Sequence, residues 1–455
     1  MQNTIKITSI TYIKNGKDYI EQCLTSIMNQ TLKEIEIIVV DGGSTDGTAE
    51  LIESFQKEDM RIKVLHKEGS VGAQFNAALS LAQGEYIAVC EGDDYILPDK
   101  YEKQYKIAKE HNLDVLRACY YRFFMYHGKE YRYIVNVAPG RKYYNRLIEL
   151  AENDDIFLSL GVNGFWNGLY ARDFLVTHNI TMNETKGAAY QDISFSFLCQ
   201  MSAKRIWFME EALHCYRIDN PGASVNSSHC IEINANEYAL LRERLIQTGK
   251  WEKYQCMYLV WEIGSYKHYL GEMNNDLQPD LLKKIYDTLR KQNIKYCFEN
   301  IRMPEKSRRI IESLYADEEL FSRLMTDNIK ENIRTLHFFE HTNSKTGPVT
   351  LFGIGHLGSI VFDYLKLADI EFGIVDNSAE KQKEGFKGEK VYTPEEYVTA
   401  NDNPIIIANI EHSGEIREQL QKLGVSGDCI VVCNNEDFFL RKIFVRLCDK
   451  KLAYP

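Results

Sequence analysis

Glu91-Gly92-Asp93-Asp94 crowds three carboxylates into four residues directly after the apolar run Tyr86-Ile87-Ala88-Val89-Cys90. Like charges held that closely are costly unless a cation neutralises them. A divalent ion bound there suits a reaction that expels a diphosphate, because it offsets the charge building on the leaving group. The attacking hydroxyl of such a reaction needs a second, separate carboxylate to take its proton. An exposed acidic turn is the plain alternative. A second cluster, Asp41-Gly42-Gly43-Ser44-Thr45-Asp46-Gly47-Thr48, also follows an apolar run. Its glycines permit unusual backbone angles and close approach of a ligand, while Ser44, Thr45 or Asp46 could cap the next helix. A third, Gly353-Ile354-Gly355-His356-Leu357-Gly358, is a GxGxxG with Asp376 placed 23 residues after its first glycine.

Strands alternating with helices would position these clusters. Ile5 to Tyr12 reads as a strand, and Ile20, Cys23, Leu24, Ile27 and Met28 then recur at helical spacing. Residues 34–40 form a β-branched run, 48–57 suit a helix, Arg61 to Leu65 a strand, Val71 to Ala82 a helix and Tyr86 to Cys90 a strand. Strands separated by helices of this length predict a parallel, right-handed α/β sheet, with ligands bound beyond the carboxyl ends of its strands. Thr11 to Asn15, Asp41 to Asp46 and Glu91 to Asp94 all fall at such ends. From about 100 to 230 the chain is richer in Tyr, Phe and Trp, as a substrate-facing half would be. Residues 231–345 carry helical periodicity and read as a connector. A polar loop at 341–348 precedes a second α/β pattern: Pro348 to Phe352 as strand, Ser359 to Ala368 as helix, Ile370 to Val375 as strand. The expected domains are 1–230, 231–345 and 346–455.

The composition, 44% apolar and 26% charged over 455 residues, is that of a folded chain. A net charge of −11 argues against a nucleic-acid partner, which would need an excess of basic residues. The eleven cysteines form no CxxC pair and read as reduced, buried thiols. No signal peptide or membrane-spanning run is visible. A cytoplasmic protein is expected. The tail 438–455 mixes bulky apolar with basic residues: either a docked helix or a peripheral contact with the inner face of a membrane.

The order TSITYIKNGKDYIEQCLTSIMNQTLKEIEIIVVDGGSTDGT, then a helix, then LAQGEYIAVCEGDDYILPDKYEKQ, resembles the amino-terminal half of a family 2 glycosyltransferase with a GT-A fold. The resemblance extends over about 230 residues. It implies a metal-dependent, inverting transferase that moves a sugar from a nucleotide-sugar donor to a hydroxyl of a glycan or lipid-linked glycan acceptor, with Mn²⁺ or Mg²⁺ as cofactor, in the synthesis of bacterial surface polysaccharide. By the same resemblance Thr11, Tyr12 and Asp41 contact the nucleoside, Asp93 lies near ribose and metal, and Asp94 ligates the metal. Gln191-Asp192-Ile193-Ser194-Phe195 is similar to the family's acidic-pair motif, which makes Asp192 the catalytic base although the first member is Gln191; a helix cap is the alternative. Asn163 to Tyr170 looks like the segment lining the acceptor side, with Trp166 and Asn167 as contacts; Trp166 could equally pack in the core. Tyr216-Arg217 and Asn220 to Ser224 resemble the loop near the diphosphate, though Arg217 could be a surface ion pair. Gln74-Phe75-Asn76 stands where many relatives carry Ala-Arg-Asn, which leaves the nucleotide base unassigned.

The GxGxxG of 353–358, with Asp376 after the next strand, predicts a Rossmann-like domain over 346–455. Gly353, Gly355, Gly358 and Asp376 would form a second site for NAD or another nucleotide; a scaffold is the alternative. Two rival functions follow: an NAD-dependent sugar-nucleotide oxidoreductase or epimerase run by this domain, and a non-catalytic glycan-assembly module.

Overall fold

The computed structural model describes residues 4–138, 140–149, 164–186, 189–223, 230–271, 279–291, 305–342, 347–398 and 400–445. The chain divides into two compact units, Met1–Tyr266 with Asn293–Arg308, and Lys267–Gln292 with Arg309–Pro455. The segment 231–345, read as one helical connector, is shared between them: the helix Cys230–Gln247 lies in the first, Pro279–Arg290 and Glu318–His341 in the second.

In the first unit the β-branched runs become β1 (Ile7–Ile13), β2 (Ile35–Asp41), β3 (Ile62–His66) and β4 (Tyr86–Val89). They are followed by β5 (Tyr95–Ile96), β6 (Val115–Ala118), β7 (Tyr120–Tyr126), β8 (Lys129–Val135), β9 (Leu147–Glu149), β10 (Leu169–Ala171), β11 (Arg205–Met209) and β12 (His214–Arg217). The main sheet runs β3-β2-β1-β4-β10-β6-β11-β9. Its first four strands are parallel, as the alternation with helices requires, and every residue of β1 and β2 is buried because helices cover both faces. The sheet is mixed rather than wholly parallel: β10 runs antiparallel to both β4 and β6. Three residues are too few to announce a strand by period, so that reversal left no mark in the sequence. A smaller sheet, β5-β12-β7-β8, was not anticipated either. It pairs Cys215 with Tyr95, and so brings the end of β12 against the residues just after β4.

The second unit carries β13 (Val349–Phe352), β14 (Phe372–Val375), β15 (Val391–Tyr392), β16 (Ile405–Ala408) and β17 (Ile430–Cys433) in one parallel sheet ordered β15-β14-β13-β16-β17. The order reverses between β13 and β16, the place where sheets of this kind open a crevice. In the tail, Phe438, Phe439, Leu440, Ile443 and Phe444 are all buried. An interfacial anchor would need those side chains at the surface, so over 438–445 the docked alternative is the one found; 446–455 lie outside the described residues. Among the described residues no helix is long and apolar enough to cross a membrane.

Candidate functional site

The ends of β1, β2 and β4 meet on one side of the main sheet. Thr11 and Tyr12 close β1; both are buried, and Thr11 Oγ1 has no hydrogen-bond partner among the described residues. The Tyr12 phenol donates to Glu91 Oε1 at 2.7 Å, linking the first strand end to the acidic cluster. Asp41, at the end of β2, is buried and accepts the amides of Gly43 at 3.3 Å and Ser44 at 3.2 Å. Asn15 is at φ 52°, in the left-handed region that Asn tolerates. From there its side chain takes the Thr45 amide at 2.8 Å, while its own amide donates to Ser44 Oγ at 2.9 Å. Asp46 accepts the Thr48 amide at 3.0 Å and the Lys17 amide at 3.2 Å, so it satisfies the first amide of the helix Thr48–Glu58 and also ties it to the first loop. Two loops that the sequence showed separately are thus one cross-braced rim.

The acidic cluster is divided by burial. Glu91 and Asp93 are partly open, whereas Asp94 is 1% exposed. Burial, then the neighbouring Asp93 charge, pushes the Glu91 carboxyl up to about 8. Burial also raises Asp93, against the pull of a hydrogen bond from Asn220 Nδ2 at 2.7 Å. Asp94 turns inward: one oxygen accepts from His214 Nε2 at 2.8 Å and the other from the Arg217 amide at 2.9 Å. Behind it His214 Nδ1 meets Lys100 Nζ at 2.9 Å, in a chain buried end to end. Burial raises Asp94 well above the carboxylate range, lowers His214 and brings Lys100 to about 8, so each member is driven toward its neutral form. Sequence reasoning missed Lys100 and His214. The only signal was His214 sharing one face of β12 with Tyr216, two residues on.

Arg217 is no surface ion pair. It is 7% exposed, donates through Nε to Asp93 O at 2.9 Å and through Nη2 to Gln22 Oε1 at 2.7 Å, pairs with Asp219 and lies over the rings of Tyr19 and Phe123. It therefore grips the loop that carries Asp93. Ser224, the end of the expected loop, lies outside the described residues, as does Asn163.

Trp166, also 7% exposed, lies flat across Tyr216 at 4.7 Å and across His214 at 4.6 Å, with Tyr120 edge-on. It packs, roofing the Asp94 chain. Asn167 is fully buried, and neither of its side-chain polar atoms is hydrogen-bonded among the described residues. Phe75 is buried edge-on against Phe165 and Phe195, so that position serves the core rather than a ligand. Asp192 opens the helix Asp192–Ser202 and is partly exposed. Burial lifts its carboxyl to about 6, with Glu237 raising and Arg117 lowering it. Its charge also raises Tyr12 and Glu91, so base candidate, first strand end and acidic cluster share one electrostatic neighbourhood.

A divalent ion fits this donor set sparingly. Among the described residues no group of three His, Cys, Asp or Glu is assembled to hold one. Asp94 has both oxygens engaged, which leaves Asp93 and Glu91 as the open carboxylates, each disfavoured as an anion. Such a pair suits an ion whose remaining ligands are substrate phosphates and water, the usual habit of Mg²⁺.

In the second unit Gly353 sits at φ 90°, and a Cβ on Gly358 would lie 2.0 Å from Gly353 O, so the loop presses on the helix His356–Leu367. Nothing lies within 4 Å of a Cβ on Gly355. A cavity of about 310 Å³ opens here, lined by Gly353, Asp376, Asn377, Asn409, His412 and Gln419 among others. Asp376, however, accepts the Ile354 and Ser378 amides, each at 2.9 Å, and pairs with Lys381 at 3.0 Å. Three of the roughly four lone-pair sites of that carboxylate are thus taken, which leaves little of it for a ribose diol.

Residues 8–177 match the family model "Glycosyl transferase family 2", and residues 346–431 match "C2185-like, N-terminal". The chain is 28% identical over 222 residues to a Bacillus subtilis protein named as the uncharacterized glycosyltransferase EpsJ, covering 48% of this chain and 62% of that one. It is 31% identical over 222 residues to the putative glycosyltransferase EpsH of the same organism, covering 47% and 61%. The chain thus spans less than two thirds of the length of these relatives. The crystal structure of S. aureus TarS 1–349 superposes with a TM-score of 0.52 at 19% identity, over 71% of this chain and 91% of that one, a likeness of fold.

Proposed function

We propose that the 1–230 segment is an inverting glycosyltransferase that moves a sugar from a nucleotide-sugar donor to a hydroxyl of a glycan or lipid-linked acceptor, in the making of a bacterial surface polysaccharide. One observation carries it: on a chain matching the glycosyl transferase family 2 model, the strand ends and the start of the helix Asp192–Ser202 bring Glu91 and Asp192 to Tyr12, with Asp93 acting on Glu91 and Asp41 in register with Ile13, the next residue of β1. In this reading Thr11, Tyr12 and Asp41 line the nucleoside end. Asp93, steadied by Asn220 and by Arg217, is the carboxylate for Mn²⁺ or Mg²⁺, which supplies charge for the departing diphosphate. Asp94, buried and hydrogen-bonded to His214 and Arg217, braces that loop from behind. Asp192 takes the proton of the acceptor hydroxyl; with a value near 6 it is ionised at neutral pH yet basic enough to accept. One base suffices for a single displacement with inversion.

The second unit reads as a scaffold, because Asp376 spends its carboxylate on its own loop and on Lys381. Release of free nucleoside diphosphate from a panel of UDP- and GDP-sugars, with Mn²⁺ and with EDTA, tests the proposal. Metal-dependent release from at least one donor is expected; no release from any, together with tight NAD binding, would return the oxidoreductase reading.

A further inference from the structure

Asp192 follows a stretch whose described residues, 178–186 and 189–191, lie in neither helix nor strand, and a proton acceptor at the end of such a stretch stays in place only if the stretch is held. Two helices hold it. From Val71–Leu81, Asn76 Nδ2 donates to Met182 O at 2.9 Å and to Glu184 Oε1 at 3.0 Å, and the Met182 amide donates back to Asn76 Oδ1 at 3.0 Å. Gly72 makes room for this contact, since a Cβ there would lie 1.9 Å from Asn183 O. From Cys230–Gln247, Arg244 donates to the carbonyls of Asn179 and Thr181. One turn pair earlier, Glu237 accepts Asn183 Nδ2 at 2.8 Å on one oxygen and the Thr185 hydroxyl on the other. Gln191, immediately before Asp192, donates through Nε2 to the same Thr185 oxygen at 3.2 Å.

Glu237 is fully buried. A buried carboxylate is expensive unless hydrogen bonds satisfy it, and both of its oxygens are spent on the 183–185 stretch. Arg244 of the same helix holds the earlier carbonyls of Asn179 and Thr181, whereas this buried acid holds Asn183 and Thr185, nearer to Asp192, whose preceding residue is a neutral glutamine. We infer that Glu237 is a positioning residue for the proposed transfer: by clamping Asn183 and Thr185, and Gln191 through Thr185, it fixes the entry to the helix that presents Asp192. The inference rests on the reading of Asp192 as base. It places part of the catalytic centre on a helix beyond the 8–177 stretch that matches the transferase family.

Asp192 is faced by Tyr12 on β1, Glu91 beyond β4, Arg117 on β6, Tyr170 on β10, and Glu237 and Tyr238 on the helix Cys230–Gln247. Of these Glu237 raises it and Arg117 lowers it. Removing the Glu237 charge while keeping its shape should therefore ionise Asp192 at lower pH.

The test compares Glu237→Ala, Glu237→Gln and Asp192→Asn in the full chain. It reads release of nucleoside diphosphate from UDP- and GDP-sugars with Mn²⁺, water being the acceptor, together with donor KM, the pH profile of kcat and thermal unfolding. Glu237→Ala is expected to lower kcat by about tenfold or more with donor KM little changed, since a misplacement of about 1 Å can cost up to 10²-fold. Glu237→Gln, which can still bridge Asn183 and Thr185, should recover most of that loss and move the acid limb of kcat to lower pH. A Glu237→Ala protein that melts earlier but keeps kcat within about threefold overturns the inference. Should Glu237→Ala fail to fold, Glu237→Asp decides alone, since it keeps the charge and shortens the reach to Asn183 and Thr185: kcat within about threefold of wild type overturns the inference, and a fall of about tenfold with donor KM unchanged supports it. Near-normal turnover by Asp192→Asn would sink the base reading itself; an inactive Asp192→Asn beside unaffected Glu237 variants would sink only the role of Glu237.

Discussion

Replacing Asp192 by Asn separates chemistry from architecture, because the amide keeps the shape and most of the capping ability of the carboxylate and cannot take a proton. A lift from the ordinary 3.8 to about 6 corresponds to about 3 kcal/mol; with Asp192 partly open to water, about 1–3 kcal/mol is the working range. The sign is that of a raised carboxyl: its contribution to stability is fully present below 3.8 and is lost as pH rises through about 6. At pH 8 the wild type therefore carries a buried anion that the variant lacks, and Asp192→Asn should melt a few degrees higher there. At pH 5, where the folded carboxyl is mostly protonated but the unfolded one is still ionised, about half of that gap should remain; it closes only below 3.8. Turnover should fall by about 10²- to 10⁴-fold at pH 8, the span general base catalysis supplies. The assay pairs donor hydrolysis with thermal unfolding at both pH values. Turnover within about threefold of wild type would refute the base, and a variant less stable at pH 8 would show that the carboxylate serves chiefly as a cap.

In the wild type the acid limb of kcat should fall near pH 6, with about a tenfold loss one unit below it; a flat profile down to pH 5 would count against Asp192. Asp93→Ala should abolish the Mn²⁺-dependent part of UDP affinity in calorimetry with little change in melting, and EDTA should do the same to the wild type; equal affinity with and without Mn²⁺ would remove the ion from the account. Asp94→Ala should instead cost about 2–5 kcal/mol in denaturant unfolding, because it leaves His214 Nε2 and the Arg217 amide without their acceptor in the interior. Gly358→Ala should destabilise the second unit by about 1–3 kcal/mol, its new methyl meeting Gly353 O; an unchanged transition would mean that the loop yields.

The strand and helix pattern of the first hundred residues was legible because each element carries its own period: β1, β2 and β4 as β-branched or apolar runs, the helix Lys17–Met28 as Ile20, Cys23, Leu24 and Ile27 on one face. Lys100, His214 and Glu237 were not legible, since each matters through a partner far along the chain. Lys100 and His214 are 114 residues apart, and Asn183 and Glu237 are 54. No local pattern encodes such a pairing. Trp166 left its two uses open for the same reason: whether an indole face is free depends on His214 and Tyr216 arriving from β12.

The acidic cluster shows how far a finer reading of the sequence could have gone. Adjacency drew attention to the pair Asp93-Asp94, yet the two differ in what they face. Burial alternates from Cys90 through Asp93: Cys90 and Gly92 lie inside, Glu91 and Asp93 face outward. The inward parity continues to Asp94 and the outward parity to Tyr95, so residues two apart, not neighbours, share a side, as they do along the strand that precedes them. Gly92 permits this at the rim, since a Cβ there would lie 2.5 Å from the side chain of Ile13. By that parity the carboxylates that would meet the proposed donor are Glu91 and Asp93. Asp94 is left to His214 and Arg217, and through them to the two sheets that hold the rim together.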